Sequence, residues 1–111
     1  MDKFSVLQQY FGHNSFRPGQ EQVVDAIVSG QDVLGVMPTG AGKSVCYQVP
    51  AMLMPGLTLV ISPLISLMQD QVAALEEEGV HAACLNSALP EGLYSTILRA
   101  ALEGDYKILY V

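Results

Sequence analysis

The chain has 111 residues, of which 50% are hydrophobic and 14% charged, with a formal net charge of −6. That length gives one domain at most, large enough to bury a core, and the balance excludes a disordered chain, which combines low hydrophobicity with high net charge. So acidic a chain is no electrostatic trap for nucleic acid; any such contact has to come from local groups or from parts of the protein outside this sequence.

In chain order, Phe4, Leu7 and Phe11 stand at helical spacing and Gly12 ends that helix. A polar loop follows, His13-Asn14-Ser15-Phe16-Arg17-Pro18-Gly19-Gln20, leading into a second helix over residues 21–29 whose apolar face is Val23, Val24, Ile27 and Val28. A side-chain amide such as that of Gln20 can pair with the donor and acceptor edge of adenine, and a ring or guanidinium can stack on it. By composition alone, a solvated turn accounts for the same residues.

Val33, Leu34 and Val36 form a short apolar run that reads as a buried strand, and Pro38, Gly40 and Gly42 break it. The stretch Met37-Pro38-Thr39-Gly40-Ala41-Gly42-Lys43-Ser44 is then a phosphate-gripping loop opening a helix. Gly40 and Gly42 let backbone N–H groups approach a triphosphate without side chains in the way. The helix from Lys43 adds the positive end of its dipole, the Lys43 ammonium reaches the β and γ phosphates, and the Ser44 hydroxyl can coordinate magnesium. Met37 stands where the general pattern has glycine. The bland alternative is an ordinary Gly-rich turn with a surface lysine.

The helix after the loop carries Val45, Cys46, Val49, Met52 and Leu53, and Pro50 is expected to end or kink it after about two turns. Residues 57–61 form a continuous apolar run that reads as a strand covered on both faces. Ser62-Pro63 stop it, and residues 64–78 read as a helix with Leu64, Leu67, Met68, Val72 and Leu75 on one face and Gly79 at its end. Residues 80–85 read as a strand, Asn86-Ser87 as a turn, and Pro90 as the first turn of a helix with Leu93, Ile97, Leu98, Ala101 and Leu102 inward. Residues 107–111 are a last strand. The expected architecture is two helices and then a βαβαβαβ parallel sheet, an α/β class in which ligands sit beyond the carboxyl ends of the strands. On that reading the turns at 38–43, 62–63 and 86–87 open on one functional edge.

Cys46 and Cys84 fit no metal-ligand spacing and are too few for a disulfide framework, so they read as reduced core residues of a cytosolic protein. His81 has no second ligand at metal spacing. The N-terminus lacks the pattern of a secretory signal, and the uncharged stretch 44–69 is punctuated by Pro50, Pro55, Gly56 and Pro63, which argues against a membrane span.

Three linked motifs carry a resemblance that spans Phe4 to Val111: Phe11-Gly12-x-x-x-Phe16-Arg17-x-x-Gln20; Met37 to Ser44 continuing as x-Cys46-Tyr47-Gln48-x-Pro50-Ala51; and Ser62-Pro63-Leu64-Ile65-Ser66-Leu67-Met68-x-Asp70-Gln71-Val72, with Cys84-Leu85-Asn86-Ser87 fitting as well. They are similar in order and spacing to the leading motifs of RecQ-type DNA helicases. The resemblance implies a P-loop NTPase fold, the first of two RecA-like helicase lobes and truncated here, with residues 1–30 supplying helices and an adenine-recognition loop and 31–111 part of the ATP-binding domain. It implies ATP-driven 3'-to-5' DNA unwinding in recombination and repair, with ATP and magnesium as cofactors and single-stranded or partly unwound DNA as partner of the parent protein.

On the same resemblance, Arg17 and Gln20 recognise adenine and His13 stands where the family often has a stacking aromatic. Thr39, Gly40, Ala41 and Gly42 cradle the phosphates, Lys43 is the catalytic lysine, Ser44 holds magnesium, and Ser62, Pro63 and Leu64 track the DNA backbone. The expected location is the bacterial cytoplasm, or the nucleus in a eukaryote. The family's Asp-Glu-x-His motif, which holds magnesium and orients the attacking water, does not occur in this sequence, nor does a second lobe. The expectation is therefore an N-terminal part that binds ATP and neither hydrolyses it nor unwinds DNA. The alternatives are a P-loop kinase or phosphotransferase, which has no use for the Gln20 loop or Ser62-Pro63-Leu64, and a noncatalytic nucleotide-binding fragment.

Overall fold

A computed structural model describes residues 2–37 and 42–111 of the chain. It divides into two compact units, Met1–Pro55 and Gly56–Val111.

The first unit is helical: α1 (Lys3–Phe11), α2 (Gln20–Val28) and α3 (Lys43–Leu53). Asp2 caps α1, its carboxylate accepting the Ser5 N–H at 2.7 Å, and Gly12 closes the helix in the left-handed conformation at φ 70°, where a side chain would be strained. Val6 and Leu7 of α1, Val24 of α2 and Val45 and Val49 of α3 form the core, with Phe11, Phe16 and Met52 packed against it. Lys3 ties α1 to α2 by pairing with Glu21 at 2.6 Å and Asp25 at 2.7 Å.

One expectation fails in this unit, and of the two alternatives at Pro50 one is excluded. Residues 31–37 form no strand, and Leu34 and Val36 are 92% and 87% exposed. An apolar, β-branched run becomes a strand only against a hydrogen-bonding neighbour, and the only sheet among the described residues is built from other segments. Pro50 does not end α3, which runs on to Leu53. Val49, Pro50 and Ala51 are all buried, and that packing holds the helix through the missing N–H of the proline.

The second unit holds a three-stranded parallel sheet of β1 (Thr58–Val60), β2 (Ala82–Cys84) and β3 (Ile108–Tyr110) in the order β1-β3-β2, with α4 (Ile65–Glu77) and α5 (Glu91–Leu102) as crossovers. Thr58 pairs with Ile108 and Ala82 with Ile108 on its other side, so the central strand β3 is buried along its length. Ala83, Leu85, Ala101 and Leu109 form one core cluster. In α4 only Met68 and Leu75 are buried, and Leu64 and Leu67 are exposed.

The expected two-sided cover of β1 is not found: Leu59 is 59% and Ile61 85% exposed. Leu93, Leu98 and Leu102, expected inward on α5, are also exposed. Apolar content marks what a segment is able to bury; what lies over it is set by the neighbours the chain brings. Because the strands are parallel, Ser62-Pro63 after β1 and Asn86-Ser87 after β2 open on one edge, as expected; the loop at 38–41 lies outside the described residues.

Candidate nucleotide site

The helical unit carries the candidate site. Between α1 and α2 the chain runs through Gly12 to Gly19, and Phe16 anchors that loop by packing on the core and against Phe4 at a ring-centroid distance of 5.7 Å. The loop then closes on itself by reciprocal hydrogen bonds: the Gln20 N–H donates to the Arg17 carbonyl at 3.1 Å, and the Arg17 N–H donates to Gln20 Oε1 at 2.7 Å. Gln20 opens α2, where its side chain is drawn inward and only 4% exposed.

Its Nε2 donates to the Gly42 carbonyl at 2.9 Å, so one buried amide joins the loop before α2 to the residue before α3. The two partners fix the orientation of the amide, because the backbone N–H of Arg17 can only donate and the carbonyl of Gly42 can only accept. Gly42 is the N-cap of α3, in the left-handed conformation at φ 76°, and no side chain caps that helix end. A Cβ at Gly42 would collide with the Gln20 amide.

His13, Arg17, Gln20 and Gly42 thus line one cavity of about 470 Å³, together with Gly12, Asn14, Ser15 and Val45. Four of the residues expected at a nucleotide are brought together there. Asn14 and Ser15 add polar groups to the lining that no motif marks. Lys43 is exposed in the first turn of α3 and lines a second cavity of about 280 Å³ with Met37, Cys46 and Tyr47 among others. Burial pushes the Cys46 thiol above its ordinary range, so it stays protonated at neutral pH. Ser44, half-buried, follows Lys43 in α3. Thr39, Gly40 and Ala41 lie outside the described residues.

The donor set fits an anionic nucleotide: a polar cavity of a few hundred Å³, a helix N-terminus without a side-chain cap, a lysine and a hydroxyl in its first turn, and a glycine where a methyl group does not fit. In the second unit, the Ser62 N–H donates to the Val111 carbonyl at 3.1 Å, and the Leu64 N–H to Ser62 Oγ at 3.4 Å. Pro63 and Leu64 are exposed. Among the described residues no helix is long and apolar enough to cross a membrane, and no cluster of side chains suits a metal ion held by protein alone.

Comparison with known proteins places these residues in a wider set. Residues 17–111 match the family model described as DEAD/DEAH box helicase. The chain is 52% identical over 107 residues to the ATP-dependent DNA helicase RecQ of Haemophilus influenzae and 47% identical over 108 residues to that of Bacillus subtilis, in each case across 96% of this chain. It is 47% identical over 103 residues to the ATP-dependent DNA helicase Q-like 4B of Arabidopsis thaliana. The chain spans 17% and 18% of the length of the two bacterial relatives and 9% of the plant one.

Proposed function

Because the chain belongs to the DEAD/DEAH box helicase family, we propose that it is the nucleotide-gripping part of a RecQ-type ATP-dependent DNA helicase that unwinds DNA 3'-to-5' in recombination and repair. The observation that carries this reading is the convergence of His13, Arg17, Gln20 and Gly42 on one cavity beside the first turn of α3. Gln20 and Arg17 hold the adenine, with the His13 ring against its face. Lys43 and the backbone of 39–42 hold the phosphates, Thr39 and Ala41 included, and Ser44 takes magnesium. Bound ATP supplies the phosphoanhydride whose cleavage drives such a motor. The residues of this chain bind and orient it, and the acidic groups that activate water belong to other parts of the parent protein. Ser62, Pro63 and Leu64 follow a DNA strand in that parent, which works where its DNA lies.

Replacing Lys43 by Ala removes a charge-assisted contact, so ATP affinity is expected to fall roughly ten- to a hundredfold while the helical content stays unchanged. Calorimetric titration with ATP and magnesium, with circular dichroism as the check on folding, measures both. Equal affinity in the folded variant would remove Lys43 from the phosphate site.

A further inference from the structure

Three consecutive glutamates, residues 76–78, stand at the C-terminal end of α4, where the helix dipole disfavours negative charge. One of them has a partner beyond its own helix: the Ala82 N–H donates to Glu76 Oε1 at 3.2 Å. The turn between α4 and β2 does not need this contact to close. The Gly79 N–H already returns to the Glu76 carbonyl at 3.1 Å, and the Val80 N–H to the Leu75 carbonyl at 2.9 Å.

What the contact covers is a strand edge. β2 ends the sheet order, with β3 on one side of it and no strand on the other among the described residues. Successive residues of a strand turn their N–H and C=O groups to alternate sides. The Lys107 N–H donates to the His81 carbonyl at 2.8 Å and the Leu85 N–H to the Tyr110 carbonyl at 2.8 Å, so residues 81 and 85 face β3 and Ala82 faces outward. The Ala82 N–H is therefore a group that an added strand would pair with, and Glu76 already holds it.

We infer that Glu76 guards this edge against a second copy of the chain, whose strand must displace the carboxylate before it can pair. A second copy is the competitor because each one carries the same β2 edge, and two identical edges can pair antiparallel about a twofold axis. Edges elsewhere are blunted by lysine, proline or a bulge in the strand itself. Here the blunting group comes from the preceding helix.

Three substitutions in the full chain separate the contact from the charge. Glu76→Asp keeps the charge one methylene too short to reach Ala82, Glu76→Gln drops the charge and keeps an acceptor of the same reach, and Glu77→Ala drops a neighbouring charge. Sedimentation velocity over a concentration series reads the mass, and the NMR amide shifts of residues 82–84 locate the contact. Circular dichroism checks the fold. Glu76→Asp is expected to self-associate at roughly tenfold lower concentration than the wild type, the scale of one hydrogen bond, with shifts at residues 82–84. Glu76→Gln and Glu77→Ala are expected to follow the wild type. In the wild type itself, the Ala82 amide should exchange with deuterium more slowly than that of Cys84, the next residue facing the same side. A folded Glu76→Asp variant that follows the wild type would overturn the inference. So would association that Glu76→Gln and Glu77→Ala share, association that leaves residues 82–84 unmoved, or equal exchange at Ala82 and Cys84.

Discussion

Among the described glycines, Gly42 is the one that tolerates a side chain least. Alanine there meets the left-handed backbone penalty and the Gln20 amide at once, so Gly42→Ala is expected to destabilise the helical unit by about 1–2 kcal/mol, read from a urea melt, and to weaken ATP binding further than that loss of stability explains. Asp2 gives a pH dependence of known sign. The Ser5 backbone N–H, followed by its side chain, stabilises the ionised carboxylate and holds the Asp2 pKa below its ordinary 3.8. A depressed carboxylate pKa contributes stability above the unfolded value, and that contribution is lost as pH falls through the folded one. Below about pH 4, Asp2→Asn should therefore lose less α1 helicity than the wild type, measured by circular dichroism in an acid titration. At this scale the motif residues were legible because their chemistry is carried by side chains. The partner of Gln20 was not, since a backbone carbonyl leaves no trace in a one-letter code.

Among the elements, the helices were the legible part. The five among the described residues begin and end within a residue or two of the positions that spacing, glycine and proline imply, apart from the extension of α3 past Pro50. Of the four expected strands, those within 57–61, 80–85 and 107–111 were found among the described residues, the run at 33–36 was not, and β1 was read as too well covered. Residues 33–36 and 57–61 have the same kind of apolar run, yet the first forms no strand and the second holds the edge strand β1, with Leu59 and the following Ile61 exposed. Periodicity records what a segment prefers to bury, while cover and pairing come from distant residues. The bare face of β1, and its edge unpaired among the described residues, are a template for association. A lysine at the most exposed of these positions, Ile61→Lys, is expected to raise the concentration at which the chain stays monomeric by severalfold, with little change in its melting temperature, as followed by light scattering and a thermal melt.

For the molecule as a whole, the net charge of −6 sets a limit on what this chain does by itself. With 5 Lys and Arg against 11 Asp and Glu, it is expected to bind single-stranded DNA with no measurable affinity near physiological salt, and to gain little when salt is lowered from about 200 to about 50 mM, where a protein contacting several phosphates gains orders of magnitude. Fluorescence anisotropy of a labelled oligonucleotide checks this, and a steep salt dependence would show that local groups outweigh the overall charge. The order of the sheet has a consequence of another kind. β3 lies between β1 and β2, so neither Thr58–Val60 nor Ala82–Cys84 has its ladder partner until residues 108–110 have left the ribosome. The helical unit can pack as soon as residue 53 is free. During synthesis the second unit waits for its keystone with two strands in hand, and any pause in translation before Ile108 prolongs that exposure.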